Sequence, residues 1–365
     1  MIEGLKPYAE YKESGLPWAS RIPAHWTLIP NRAVLRKRKV LVGGKHAAYQ
    51  LLSLTKGGVI VRDVSTGKGK FSADMGTSQE VRKGDFVFCL FDVPETPRTV
   101  GLSIHDGMIT SAYTVFETTK LSADGVCYFE RFYLAMDDQK LLSPLYSGLR
   151  HTIPPPRFLG TKTPFPPPDE QSAIVRFLDH ANRKIDGFIR AKRKLIGLLN
   201  EQKQAIIHRA VTGKDEVRRM KDEKLFRFRS RSRCFIPKFL VLTLRGQLSR
   251  AQIESSTNGA SSSMQNIGQG VVKGLWVSLP PVDEQALIVT ALAEATHPLT
   301  TAIARTEREI ALMQEYRTRL TADVVTGKLD VREAAAKLPD PPTDPAAESV
   351  ADAEHEPIEP GEDEA

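Results

Sequence analysis

The sequence predicts an α+β fold: irregular β-rich domains joined by two long helices that form an antiparallel coiled coil with internal pseudo-twofold symmetry. Three observations predict it. One long helical unit is written twice, a β-patterned segment rich in Gly turns precedes the first copy, and a shortened echo of that segment precedes the second.

The copies are residues 166–214 and 280–328. Asp169-Glu170-Gln171 matches Asp283-Glu284-Gln285, and Val211-Thr212-Gly213-Lys214 matches Val325-Thr326-Gly327-Lys328, both 114 residues apart. A single insertion between these landmarks would break the alignment, so the repeat is an internal duplication and not a solenoid of three or more units. Ile174, Leu178, Ile185, Ile189, Ile196, Leu199 and Ile206 recur at helical spacing, and Ile288, Leu292, Leu299, Ile303, Ile310, Met313 and Leu320 recur likewise in the second copy. The remaining faces are rich in Lys, Arg, Glu and Gln. Two such stripes most simply bury each other, with Ile185, Ile189, Ile196 and Leu199 of one helix meeting Leu299, Ile303, Ile310 and Met313 of the other.

Pro298 stands inside the second copy. A proline in a helix interior costs about 3 kcal/mol, so it is read as the first residue of a new helix, with a short helix before a long one. From Ile185 to Thr212 the first helix would extend about 42 Å, a useful length for a spacer.

Composition sets the bounds. A chain of 365 residues predicts two or three domains. Three cysteines (Cys89, Cys127 and Cys234) without paired spacing give neither a disulfide framework nor a zinc site, which fits a reducing cytoplasm. The start MIEGLKPYAE has no apolar signal region, and no run is expected to reach bilayer-spanning length, so no membrane association is expected. Net charge is +7, yet residues 329–365 carry twelve Asp/Glu against two Lys/Arg, leaving +17 on residues 1–328. A basic body points to a polyanionic partner. The acidic Pro/Ala-rich tail is expected to form no core.

In chain order, residues 8–26 hold Trp18 and Trp26 in a turn-rich lead-in, whose rings would pin an extended N-terminal segment onto a domain, with His25 as a packing residue. Arg32, Arg36, Lys37, Arg38 and Lys39 follow, either a solvated run or a phosphate contact. From Ala47 to Phe116 short β runs alternate with Gly-rich turns, and Cys127 to Leu149 begins helical and then turns. CFIPKFLV from Cys234 echoes CYFERFYL from Cys127, but the second half has no counterpart of the two-Trp lead-in or of the cation-bearing β region. The expected domains are residues 1–165, the repeat 166–214, a truncated second domain 215–279, the repeat 280–328 and the tail 329–365.

These features resemble the specificity subunit of a type I restriction-modification system: the two PP-x-DEQ…VTGK repeats, YKESGLPWASRIPAHW at the start and GLSIHDGMITSAYTVFE in the first β region. The resemblance covers residues 8–330. It implies a non-catalytic, cytoplasmic subunit with two target recognition domains, each reading half of a split sequence in double-stranded DNA. It also implies helices that set the spacing and dock two methyltransferase subunits, with the motor-nuclease subunit joining. S-adenosylmethionine would belong to the methyltransferase, and ATP with Mg²⁺ to the motor, leaving no cofactor in this chain.

The residues agree with that division of labour. No GxGxxG loop or HExxH is present, and TGKD and TGKL follow helices where a phosphate loop must precede one. They read as helix C-caps with Gly213 and Gly327 left-handed. Ser103, His105 and Asp106 supply triad residue types but read as a turn. The candidate DNA contacts are Lys45, Lys56, Arg62, Lys68, Lys70 and Arg98, with Tyr113 as a groove or stacking contact. Two other readings stay open. One is a half-functional or degenerate subunit that dimerises to restore two-domain symmetry, and the other a protein-docking scaffold that does not read DNA.

Overall fold

The computed structural model describes residues 5–62, 75–212, 234–256, 270–271, 274–277 and 279–339. These form two compact units: one holds the described residues up to Asn182 and from Thr318 onward, the other those from Arg183 to Arg317. The division falls inside both helical repeats.

The first unit is built from short strands: β1 (Tyr11–Leu16), β2 (Ala19–Pro23), β3 (Thr27–Pro30), β4 (Leu35–Lys37), β5 (Leu52–Thr55), β6 (Gly58–Val61), β7 (Gln79–Val81), β8 (Phe86–Phe88), β9 (Val100–Leu102), β10 (Gly107–Ile109), β11 (Thr114–Thr118) and, after two helices, β12 (Lys162–Phe165). Every strand pair is antiparallel. The largest sheet runs β4-β11-β8-β9, and β1-β2, β3-β12, β5-β6 and β7-β10 are two-stranded. The alternation expected over residues 47–116 is present as these short strands.

The helix α1 (Ala123–Asp138) packs on the main sheet. Its first turn is capped by Ser122, whose Oγ accepts from the Gly125 N–H at 3.1 Å. Phe129 and Tyr133 meet Phe86 and Phe88 at ring-centroid distances of 5.2 and 5.8 Å, and Phe158 of α2 (Pro155–Gly160) packs tilted against Phe88 at 4.7 Å. All five rings are buried, and pairs at these distances add stabilisation beyond area burial. Within this apolar core Asn31 is fully buried and satisfied: its Nδ2 donates to Tyr133 Oη (2.6 Å) and Phe158 O (2.9 Å), and its Oδ1 accepts from Thr163 Oγ1 (2.7 Å).

The first repeat is one 45-residue helix, α3 (Pro168–Thr212). After α4 (Pro237–Arg245) and α5 (Gln247–Ser256) the second repeat is α6 (Val282–Val325), followed by α7 (Arg332–Ala336). Two expectations are corrected here. Pro298 does not begin a helix but lies inside the continuous 44-residue α6. Pro298 and Glu294, whose carbonyl loses its partner to the missing N–H, are both exposed, so water can satisfy that carbonyl. Further, α6 contains an eighteen-residue stretch that is long and apolar enough, by length and composition, to cross a membrane. Glu294, His297 and Pro298 interrupt the apolar residues of its first half, so no unbroken apolar run shows in the sequence.

Gly327 is left-handed, with φ +77°, and ends α6 as a C-cap. Gly213 lies outside the described residues. Ser103 Oγ donates to His105 O (2.7 Å) and Asp106 Oδ1 accepts from Lys83 N–H (2.9 Å), so these residues build turns.

Candidate nucleic-acid interface

The candidate cations sit around the β5–β6 hairpin and the segment leading into it. Lys45 is exposed on a short 3-10 turn, Gly43–Ala48, and Lys56 is exposed at the tip of the hairpin. Arg62 follows β6 half-buried, its backbone N–H donating to Leu51 O at 2.8 Å. Lys68 and Lys70 lie outside the described residues.

Arg98 is placed differently. Its Nη1 meets Asp138 Oδ1 at 2.7 Å and Asp137 Oδ2 at 3.3 Å, its Nη2 donates to Lys56 O at 3.4 Å, and its side chain is 16% exposed. It therefore braces the hairpin tip that carries Lys56. Asp137 is itself buried and also accepts from Thr99 N–H, Thr99 Oγ1 and Lys140 Nζ at 2.6–2.8 Å, which fixes the anchor. Tyr113 is half-buried. Its ring packs at the edge of the cluster of Leu52, Val59, Val81, Val87, Ile109 and Val115, 6.4 Å from Phe91, and burial pushes its phenol pKa up.

In the earlier basic run, Arg38 forks onto Asp85 at 2.7 and 3.0 Å, which raises its pKa, and Arg36 pairs with Glu117. Both arginines are structural partners of neighbouring strands. Arg32 and Lys39 remain exposed.

A second set of residues, which sequence reasoning missed, fixes the start of α3. Glu170 is 2% exposed. Its Oε1 accepts from Trp26 Nε1 at 2.9 Å and from Tyr8 Oη, and its Oε2 lies 2.8 Å from His25 Nε2. Burial, and then the bond to Glu170, raises the Tyr8 pKa and keeps the phenol a neutral donor. His25 is thus more than a packing residue. Tyr128, also buried, has its hydroxyl 2.9 Å from both Pro164 O and Val325 O, so the end of α6 is held in the same place. Lys6 and Asp330 add an antiparallel bridge. The lead-in, the start of α3 and the end of α6 are one clasp.

The two DEQ triplets behave alike in one respect. Gln171 Nε2 donates to Pro166 O at 2.8 Å, and Gln285 Nε2 donates to Pro280 O at 2.8 Å. Each buried amide ties its helix start to the prolines before it. Gln285 also accepts from Ile236 N–H (2.9 Å) and donates to Cys234 O (2.7 Å), joining the CFIPKF echo to α6. The glutamates differ: Glu284 is exposed where Glu170 is buried. The signal was available in the duplication of the triplet, although nothing local shows which glutamate is covered.

Within the second unit polar side chains link α3 and α6 along their length. Asp186 pairs with Arg317, Lys192 Nζ meets Glu309 Oε2 at 2.7 Å, and Lys203 Nζ donates to Thr300 Oγ1 at 2.9 Å. Numbers rise along one helix as they fall along the other, so the segments are antiparallel, and the register puts Ile189 level with Met313 and Leu199 level with Ile303. Ile185 and Ile189 are buried, while Ile196, Leu199, Leu299, Ile303, Ile310 and Met313 are half-buried. Ile196→Asp is expected to lower the stability of this unit by about 2 kcal/mol, less than a fully buried site would lose. An unchanged urea midpoint would contradict it.

No protein-family model matches the sequence, and no curated protein matches it. Solved structures do. A chain from work on the complex assembly and conformational transition of the type I R-M system is similar at 11% identity, with a TM-score of 0.54, over 83% of this chain and 98% of that chain. The HsdS subunit from Thermoanaerobacter tengcongensis (12% identity, 85% and 97% covered, TM-score 0.44) and the type I restriction-modification system S subunit from M. genitalium (10%, 82% and 96%, TM-score 0.38) are also similar. The mixed helix-and-sheet fold of this chain is shared with the first of these structures over most of both chains.

Proposed function

We propose that this chain is the DNA sequence-recognition subunit of a type I restriction-modification complex. The supporting observation is the shared fold over most of both chains, joined to the duplicated DEQ…VTGK helices whose glutamines make the same bond twice. In this reading the first unit reads bases through Lys45, Lys56, Arg62 and the undescribed Lys68 and Lys70. Arg98 positions the hairpin, and Tyr113 contacts the groove with whatever part of its ring is exposed. The paired helices form an antiparallel coiled coil that sets the spacing of a split target and docks the methyltransferase and motor-nuclease subunits. Those partners hold S-adenosylmethionine, ATP and Mg²⁺.

The exposure of Glu284 favours a second reading within this one: a single complete recognition domain, with the shortened second half unable to build the clasp that Tyr8, His25 and Trp26 build on Glu170. The test is adenine-methylation mapping of genomic DNA from cells carrying this gene and its methyltransferase, against a deletion of this gene alone. Loss of a split asymmetric motif is expected if both halves read DNA. Loss of a split palindrome means that two copies of the intact domain act together, and no lost motif refutes DNA recognition.

A further inference from the structure

We infer that the outward face of α3 between Gly187 and Gly197 binds the phosphates of duplex DNA outside the bases that are read; this rests on the proposed DNA-binding role. Residues 187, 190, 194 and 197 follow one another at steps of three, four and three, so they lie on one helix face. Lys192 and Lys203, which bond α6, lie on the opposite face.

Three features of this face cost the helix stability and gain nothing among the described residues. Arg190, Arg193 and Lys194 are exposed and have no hydrogen-bond or ion-pair partner among the described residues. Arg190 repels both others, at the i,i+3 and i,i+4 positions. Asp186, the nearest carboxylate before them, is taken by Arg317. Gly187 and Gly197 frame the cations, and a Cβ at either would meet no atom within 4 Å. Neither packing nor a left-handed backbone requires glycine there, although glycine is the poorest helix former after proline.

A polyanion resolves all three. It neutralises the cations, and the missing side chains let it approach the helix backbone closely. Arg190 and Lys194 are about 6 Å apart along the axis, a separation that suits two phosphates of a DNA strand. An acidic protein surface would use the cations too, but the net +17 of residues 1–328 favours the nucleic acid.

The test uses the full chain with its methyltransferase subunits. Affinity is measured over a salt series for a duplex carrying the mapped motif and for an unrelated duplex of equal length. The variant R190Q/R193Q/K194Q is expected to lower affinity equally on both, and to reduce the slope of log affinity against log salt by about 2 to 3. The variant G187Q/G197Q is expected to raise the melting temperature while weakening both duplexes by about tenfold. An unchanged salt slope with retained DNA binding overturns this inference alone. Loss of methyltransferase binding with unchanged DNA affinity also overturns it, making the face a protein-docking surface. No DNA binding by the unmodified complex would overturn the underlying reading as well.

Discussion

Glu170→Ala is expected to destabilise the first unit by about 3–5 kcal/mol, because it removes the shared acceptor of three side chains from a nearly dry site. Trp26 is fully buried, so its indole N–H would lose its partner without gaining water. Tyr8 Oη would be stranded likewise, and His25 would lose its hydrogen bond to the carboxylate. The change would be read from Trp fluorescence during urea unfolding of the full chain. Glu170→Gln keeps an acceptor oxygen and should cost less, about 1–2 kcal/mol. Glu284→Ala serves as the control, since Glu284 is exposed and its loss should leave the midpoint unchanged. Equal effects of Glu170→Ala and Glu284→Ala would show that the clasp does not hold the unit together.

Gly327→Ala is the second large effect, about 3 kcal/mol or more. Its φ of +77° already disfavours any side chain, by roughly 1–2 kcal/mol. Here a Cβ would also lie 2.3 Å from Pro23 Cδ and 3.1 Å from Trp26 Cη2, and neither ring can swing aside as a flexible chain would. The clash pushes the lead-in away from the end of α6, so it strikes the clasp that Glu170 holds from the other side. Gly15 separates the two costs, since it has φ +70° but open space around its Cβ position. Gly15→Ala should therefore show only the conformational penalty. Matching melting shifts for the two variants would mean that close packing at Gly327 contributes nothing.

Much of this architecture was legible in the chain. Matching landmarks at both ends of each repeat gave two long helices, the Gly-punctuated β runs gave the strands of the first unit, and VTGK gave a left-handed cap at Gly327. Periodicity and turn chemistry are local, and local signals survive in a sequence. The continuity of α6 through Pro298 was not legible, because tolerance of a proline depends on whether the orphaned carbonyl faces water. Nor was the split among the cations. Lys56 and Arg98 read as equals, yet Arg98 is held by Asp137 and Asp138, about forty residues further along. Arg38 is likewise held by Asp85.

The sequence by itself determined the duplication, the helical and β patterning, the basic body and the likeness to specificity subunits. Only the tertiary structure decided what the two copies of Asp-Glu-Gln became. Both glutamines close the same bond to a proline carbonyl five residues back, because that bond is local. The glutamates part ways because burial requires partners from elsewhere. Tyr8, His25 and Trp26 converge on Glu170 from about 150 residues away, and among the described residues no counterpart covers Glu284.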